Sequence, residues 1–381
     1  VRLPVLVTIT ALILSFGSAL AQPSGLYMRV FLNNAPSIAL TFSDSHTAYY
    51  ADGNVLNRSD FALEWRMAVG RNGRIWIESA QGPFDTGRDS LVFEANPRGV
   101  FQYGSRAYRG WAVVSVRAGG LQLVNSLPVE DYVRAVLPGE MPSGWPFEAL
   151  KAQAIIARTY AISRLNSVGD YDICATERCQ VYNGASGETT QANAATEATT
   201  GLIISYGNRP AQTFFHADSG GYTASSAEIW GSTLPYLMAR SDPASTSPDS
   251  SWRLQPTAGA IAGAVARFAP RVGAFRGLNV LARTSSGRVG TLEIVGSAGS
   301  VRLGSTAAYG FIRALGAKSS LVNVVSNSPL VLVGAGNGHG VGLSQWGARG
   351  LAAQGWTFEQ ILGYYYQNVS LSSYVLGGQT Q

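Results

Sequence analysis

Residues 128–161 read PVEDYVRAVLPGEMPSGWPFEALKAQAIIARTYA, and this stretch decides the fold. Pro128 suits the first helical position, where its missing N–H costs nothing, and Glu130 and Asp131 set negative charge against the positive end of the helix dipole. The spacing predicts a helix that stops before Pro138 and a second that begins near Pro146 and runs through Leu165. Between them lies LPGEMPSGW, residues 137–145, in which Glu140 is the only charged side chain. Apolar neighbours such as Leu137, Met141 and Trp145 disfavour a carboxylate and raise its pKa, as a general acid near neutral pH requires. The helix start that follows pulls the other way, and a solvated loop glutamate is the alternative reading. On the second helix Lys151 and Arg158 fall on one face with Ile155 between them. Two such cations can grip carboxylates or sugar oxygens; otherwise Glu148 pairs with Lys151 at i, i+3 and Arg158 reaches solvent.

Upstream the texture is different. Segments such as YMRVFL (27–32), SIALTF (37–42) and WAVVSV (111–116) mix alternation with β-branched and aromatic residues, and turn pairs Asp52-Gly53 and Asn72-Gly73 break them. These predict a β-rich N-terminal domain over residues 22–118, followed by a mixed α/β catalytic core over 119–381, an α+β fold. Downstream come a strand-like TGLIISY (200–206), a polar loop DPASTSPDSS (242–251) and the β-leaning SGRVGTLEIVG (286–296). The stretch GNGHGVGLSQWGARGLAAQGWTFEQILGYYYQNV (336–369) closes the pattern. There Thr357 and Gln360 make a capping box for a last helix whose apolar face is Ile361, Leu362 and Tyr365.

Composition sets the compartment and excludes some classes. Of 381 residues, 46% are apolar, which suits packed cores, and the net charge of +5 comes from basic residues that sit singly, not in a nucleic-acid-binding cluster. Arg2, an apolar run from Leu3 through Phe16, and Ala19-Leu20-Ala21 before Gln22 read as a cleaved export signal over residues 1–21. A secreted protein of the periplasm or cell wall, with no membrane span left after cleavage, is expected. In an oxidising compartment the close pair Cys174 and Cys179 predicts a disulfide. A metal site would need more ligands, and His46, His216 and His339 are remote from the pair in sequence, so neither metal nor other cofactor is expected.

Two local patterns invite other chemistry. Asp218-Ser219-Gly220-Gly221, within FHADSGGYT (residues 214–222 are FFHADSGGY), matches the run around a protease serine, yet His216 is too near in sequence to approach Ser219 as a triad base. The glycine-rich GAGNGHGVG carries no dinucleotide register and no following Gly-Lys-Ser/Thr. What remains is a tight turn that brings His339, Ser344 and Gln345 to a helix start, a place to hydrogen-bond a polar ligand or simply to pack a buried histidine.

The segments at 128–161 and 336–369, with CQVYNG, FFHADSGGYT, SGRVGTLEIVG and LGAKSSLVNVV in order between them, closely resemble the stage II sporulation protein D family, which includes the amidase enhancers. The likeness covers residues 121–375 and leaves the N-terminal strands outside. It implies lytic cleavage of peptidoglycan glycan strands between N-acetylmuramic acid and N-acetylglucosamine, ending in a 1,6-anhydro sugar, or else non-catalytic wall binding that enhances a partner amidase. It further implies Glu140 as the catalytic acid, and Lys151, Gln153, Arg158, His216, Ser219, His339, Ser344 and Gln345 as substrate contacts. Some relatives gather Cys and His around a metal near the cysteine pair, whereas no His is adjacent to it here.

Overall fold

The computed structural model describes residues 25–59, 64–79, 82–248 and 250–374 of the chain; the expected leader lies outside them. Both helices and strands are present throughout, an α+β fold. The N-terminal strands form two sheets. One has seven strands in the order 173–174, 27–35, 120–128, 111–117, 90–95, 46–50 and 55–59; the other has six and carries Ser37–Phe42 near its middle. Alternation does the work expected of it: Ile38, Leu40 and Phe42 point inward from Ser37–Phe42 while the residues between them stay more exposed.

The helices follow as α1 (Val129–Glu140), α2 (Phe147–Ile162), α3 (Thr190–Glu197), α4 (Ser226–Trp230), α5 (Ala258–Phe268), α6 (Ser305–Ala314), α7 (Gln345–Ala353) and α8 (Phe358–Tyr365). Helix α1 differs from expectation at its end, because it continues through Pro138 to Glu140. Proline deletes one donor and tends to end a helix, but here it falls in the last turn, which the Met141 N–H closes onto the Leu137 carbonyl at 2.9 Å. Helix α2 starts after Pro146 as expected and ends at Ile162, a few residues short of Leu165. The Thr357–Gln360 capping box forms on α8, and Ile361, Leu362 and Tyr365 are its buried face.

The division expected at residue 118 falls in the turn of a hairpin. Strand Gly120–Pro128, which leads straight into α1, lies between Tyr27–Ala35 and Trp111–Arg117 and pairs antiparallel with both. One hydrophobic core then runs across the boundary, from Met28, Phe93 and Leu123 of the strands to Tyr132 and Val136 of α1, Ile155 of α2 and Tyr365 of α8. The strands and the helical core are thus one packing unit. A second, separate core is made by α5 and α6 with Leu278, Ile294 and Leu332, so the chain leaves the first core, builds this module, and returns at Val341.

The return explains the glycine-rich run. Strand Phe215–His216 pairs parallel with Leu343–Ser344, and Asp218 bridges to Asn337. A Cβ on Gly342, whose φ is +72°, would stand 1.9 Å from the Phe214 carbonyl oxygen, and one on Gly340, at +84°, would stand 2.3 Å from the Arg288 guanidinium. The glycines permit close approach of two backbones and a buried cation.

Candidate active site

Because α1 runs on past Pro138, Glu140 is the last residue of a helix and sits at the negative end of its dipole, which disfavours a carboxylate. Burial pushes its carboxyl above the usual glutamate range, and a hydrogen bond from the Val181 N–H to Oε1 at 2.7 Å draws it partly back. Neither cause is a second carboxylate. Val181 is itself held from both sides in sequence: Gln180 accepts a bond from the buried Tyr132 hydroxyl at 2.9 Å, and Tyr182 stacks on Tyr132 with centroids 5.4 Å apart. Just upstream, Cys174 and Cys179 are joined as a disulfide, Cα–Cα 5.6 Å, so their sulfurs offer no thiolate to a metal. Among the described residues no group of three or more His, Cys, Asp or Glu side chains could hold a metal ion.

The C-terminal segment reaches the same place. Ser344 caps α7, its Oγ accepting from the Gly347 N–H at 3.2 Å, and Gln345 at the first position of the helix donates from Nε2 to the Glu140 carbonyl at 2.8 Å. Trp346 then meets Trp145 edge to face with centroids 4.8 Å apart. A cleft of about 200 Å³ opens against Trp346, lined also by Ala217, Asp218, Ser247, Pro248 and Asn337.

Asp218 is the residue that sequence reasoning passed over. It is buried, and its carboxylate accepts from Ser245 at 2.6 Å, from Ser247, and from the Gly220 N–H at 2.9 Å, while its backbone exchanges two bonds with Asn337. The polar loop after Asp242 supplies those serines, which was the signal available. Arg288 is the other omission. Fully buried, it donates to the carbonyls of Ser219 and Tyr222, both at 2.8 Å, and burial lowers its pKa to about 10.

Of the expected contacts, one bonds Glu140 and most of the others are held by partners of their own. Gln345 touches Glu140 directly, as above. Lys151 forms the i, i+3 pair with Glu148 at 2.5 Å and lies over the Phe358 ring at 4.6 Å. Arg158 neither reaches solvent nor faces a cleft: with its side chain 0% exposed it makes a two-pronged ion pair with Glu130, at 2.9 and 2.7 Å, and donates to the Leu202 and Thr196 carbonyls. Gln153, Ser219 and Ser344 are likewise 0% exposed. The Ser219 Oγ accepts the Gly221 N–H at 3.1 Å, a turn-stabilising role that leaves it no access to a substrate carbonyl. His216 and His339 lie 5.6 Å apart by ring centroid and both bond the backbone of Val341. Burial first, then the neighbouring His339 and Arg288, hold His216 well below its usual pKa, and burial and Arg288 hold His339 at about 4, so both are neutral near pH 7. His339 Nδ1 accepts the Val341 N–H at 3.0 Å, which leaves its proton on Nε2.

The class that fold and site define is an α+β protein whose Glu140 carboxyl, raised by burial, is held between the end of a helix and a returning C-terminal segment. Comparison with known sequences places it further. A family model described as stage II sporulation protein (SpoIID) matches residues 117–206, and a second, described as a domain of unknown function, matches 245–342, the stretch that contains the second core. Stage II sporulation protein D of Bacillus subtilis is 32% identical over 273 residues, which cover 66% of this chain and 76% of that protein. An uncharacterized protein of Brachyspira hyodysenteriae is 29% identical over 295 residues, 75% of this chain and 77% of that one. An amidase enhancer of Bacillus subtilis is 29% identical over 289 residues, 64% of this chain but 40% of the relative. The chain belongs to the stage II sporulation protein D family.

Proposed function

We propose that this protein is an exported peptidoglycan lytic transglycosylase in which Glu140 is both general acid and general base. The observation that carries the reading is the Glu140 carboxyl itself, half-buried, raised by burial and fixed by the Val181 N–H. Hydrolytic glycosidases use two carboxyl groups at set separations, one of them activating water or attacking the sugar. An intramolecular route needs one. Protonated Glu140 gives its proton to the glycosidic oxygen as the C1–O bond breaks and the electron pair leaves with that oxygen. The C6 hydroxyl of the same muramic sugar then bonds to C1, and the Glu140 carboxylate takes the hydroxyl proton. The acid is regenerated and no water is consumed.

The fold suits such a step, since Gln345 and Val181 fix the backbone and one oxygen of Glu140, and Trp346, next to Gln345 in sequence, packs edge to face on Trp145. A second reading has its own support: one relative is named an amidase enhancer, and in that reading the protein holds a glycan for a partner amidase without cutting it. Incubating purified protein with glycan strands separates the two. Fragments ending in an anhydro sugar, one water lighter than a hydrolysis product, support the transglycosylase. Intact strands, together with faster cleavage by an added wall amidase, would replace it with the enhancer.

A further inference from the structure

Arg349 stands out beside the site. It is exposed on α7, four residues after Gln345, so the two side chains share one helix face with Cβ atoms about 6 Å apart. Gln345 is the residue that holds the Glu140 carbonyl, which puts Arg349 one turn from the acid's own anchor. Its guanidinium lies over the Trp346 ring at 4.8 Å and the Trp145 ring at 5.6 Å. Stacking uses the face of the guanidinium and leaves its edge of N–H donors open, the edge that matches a carboxylate in a two-pronged bond. No ion pair or hydrogen bond to another described residue occupies that edge. Arg158, by contrast, spends every prong on Glu130 and two backbone carbonyls. The stacked rings also restrict the side chain, so less rotamer freedom is lost when it binds.

We propose that Arg349 is a specificity residue that reads a carboxylate on the glycan lying against Trp145 and Trp346. This rests on the reading of Glu140 as facing a glycan strand. Two carboxylates could meet it, the lactyl group of a muramic sugar whose peptide has been removed or an acidic group of an attached stem peptide. The chemistry is the same.

Binding tests the assignment apart from catalysis. The full chain carrying Glu140→Gln, whose cutting is slowed enough under the proposed mechanism for binding to be read, is titrated with three probes: peptide-free strands with lactyl carboxylates, the same strands with those carboxyls reduced to alcohols, and strands with stem peptides. The expected result is about tenfold or more weaker binding of the carboxyl-reduced strands than of at least one acidic probe. That preference should vanish in Arg349→Gln and survive in part in Arg349→Lys, with unfolding temperatures unchanged because the side chain is exposed. Whichever acidic probe binds better identifies the source of the carboxylate. Equal binding of all three probes by the parent, or a preference that Arg349→Gln retains, overturns the assignment. If no probe binds the parent at all, the glycan reading falls with it.

Discussion

At the scale of single residues the outcome turns on where each charge is buried. Glu140 is raised, so the folded state holds its proton to higher pH than the unfolded chain does. Between the ordinary glutamate value of 4.5 and the folded pKa, the folded state binds more protons, and stability falls as pH rises through that window. Glu140→Gln removes this dependence, so the variant should gain in unfolding temperature relative to wild type as pH is raised from 4 toward 8. A difference that stays constant with pH would mean that the carboxyl is not perturbed. Arg158 calls for the opposite expectation. Removing it leaves Glu130, among the described residues, with the Gly201 N–H and the Tyr374 hydroxyl, and loss of one partner of a buried pair costs about 3 kcal/mol or more. Arg158→Ala should therefore lower the denaturant midpoint sharply, and Glu130→Gln in the same chain should recover part of the loss. Weakened glycan binding with unchanged stability would restore it as a substrate contact. Glu140 stands out in the sequence as a lone carboxylate between two prolines, a pattern that a solvated loop glutamate fits as well. The partner of Arg158 was not legible, because Glu130 lies 28 positions away on another helix and only the packing of α1 on α2 brings them together.

Elements carry the next level of explanation. A helix that ends at Glu140 instead of before Pro138 changes the acid from a loop residue into a helix terminus, and sequence rules for proline pointed to the earlier stop. What overrides them is local: the lost donor falls where the last turn can close through Met141. The N-terminal strands present a similar case. Their alternation was plain, yet nothing in it says that Gly120–Pro128, the lead-in to α1, is an inner strand of their sheet. Deleting residues 22–118 strips both neighbours from that strand and exposes Leu121, Leu123 and Leu127, each worth about 2 kcal/mol of burial. The remainder should be insoluble or unfolded when expressed by itself. A soluble, cooperatively melting fragment over 119–381 would show that the strands are a dispensable domain after all.

For the whole molecule, the site exists only because distant parts of one chain converge. Helix α1 brings Glu140, the segment after the disulfide brings Val181, and α7 brings Gln345 and Trp346 after the chain has built and left a second core. Arg288 ties that second module to the Asp218–Tyr222 turn, a contact across 69 positions that no short motif could reveal. Family motifs were visible in order along the sequence, but the meeting of Val181 from CQVYNG and Gln345 from the C-terminal segment at Glu140 is a property of the fold. The central claim is that this carboxyl moves the proton in glycan cleavage. Its most direct test is the initial rate of anhydro-sugar release from peptidoglycan strands by the full chain and by Glu140→Gln at equal, verified folding. Wild type should release anhydro ends, and the Gln variant should fall by about 10³ to 10⁴-fold while still binding strands, since the amide keeps the shape and cannot donate the proton. Release by the Gln variant at near wild-type rate would contradict the account.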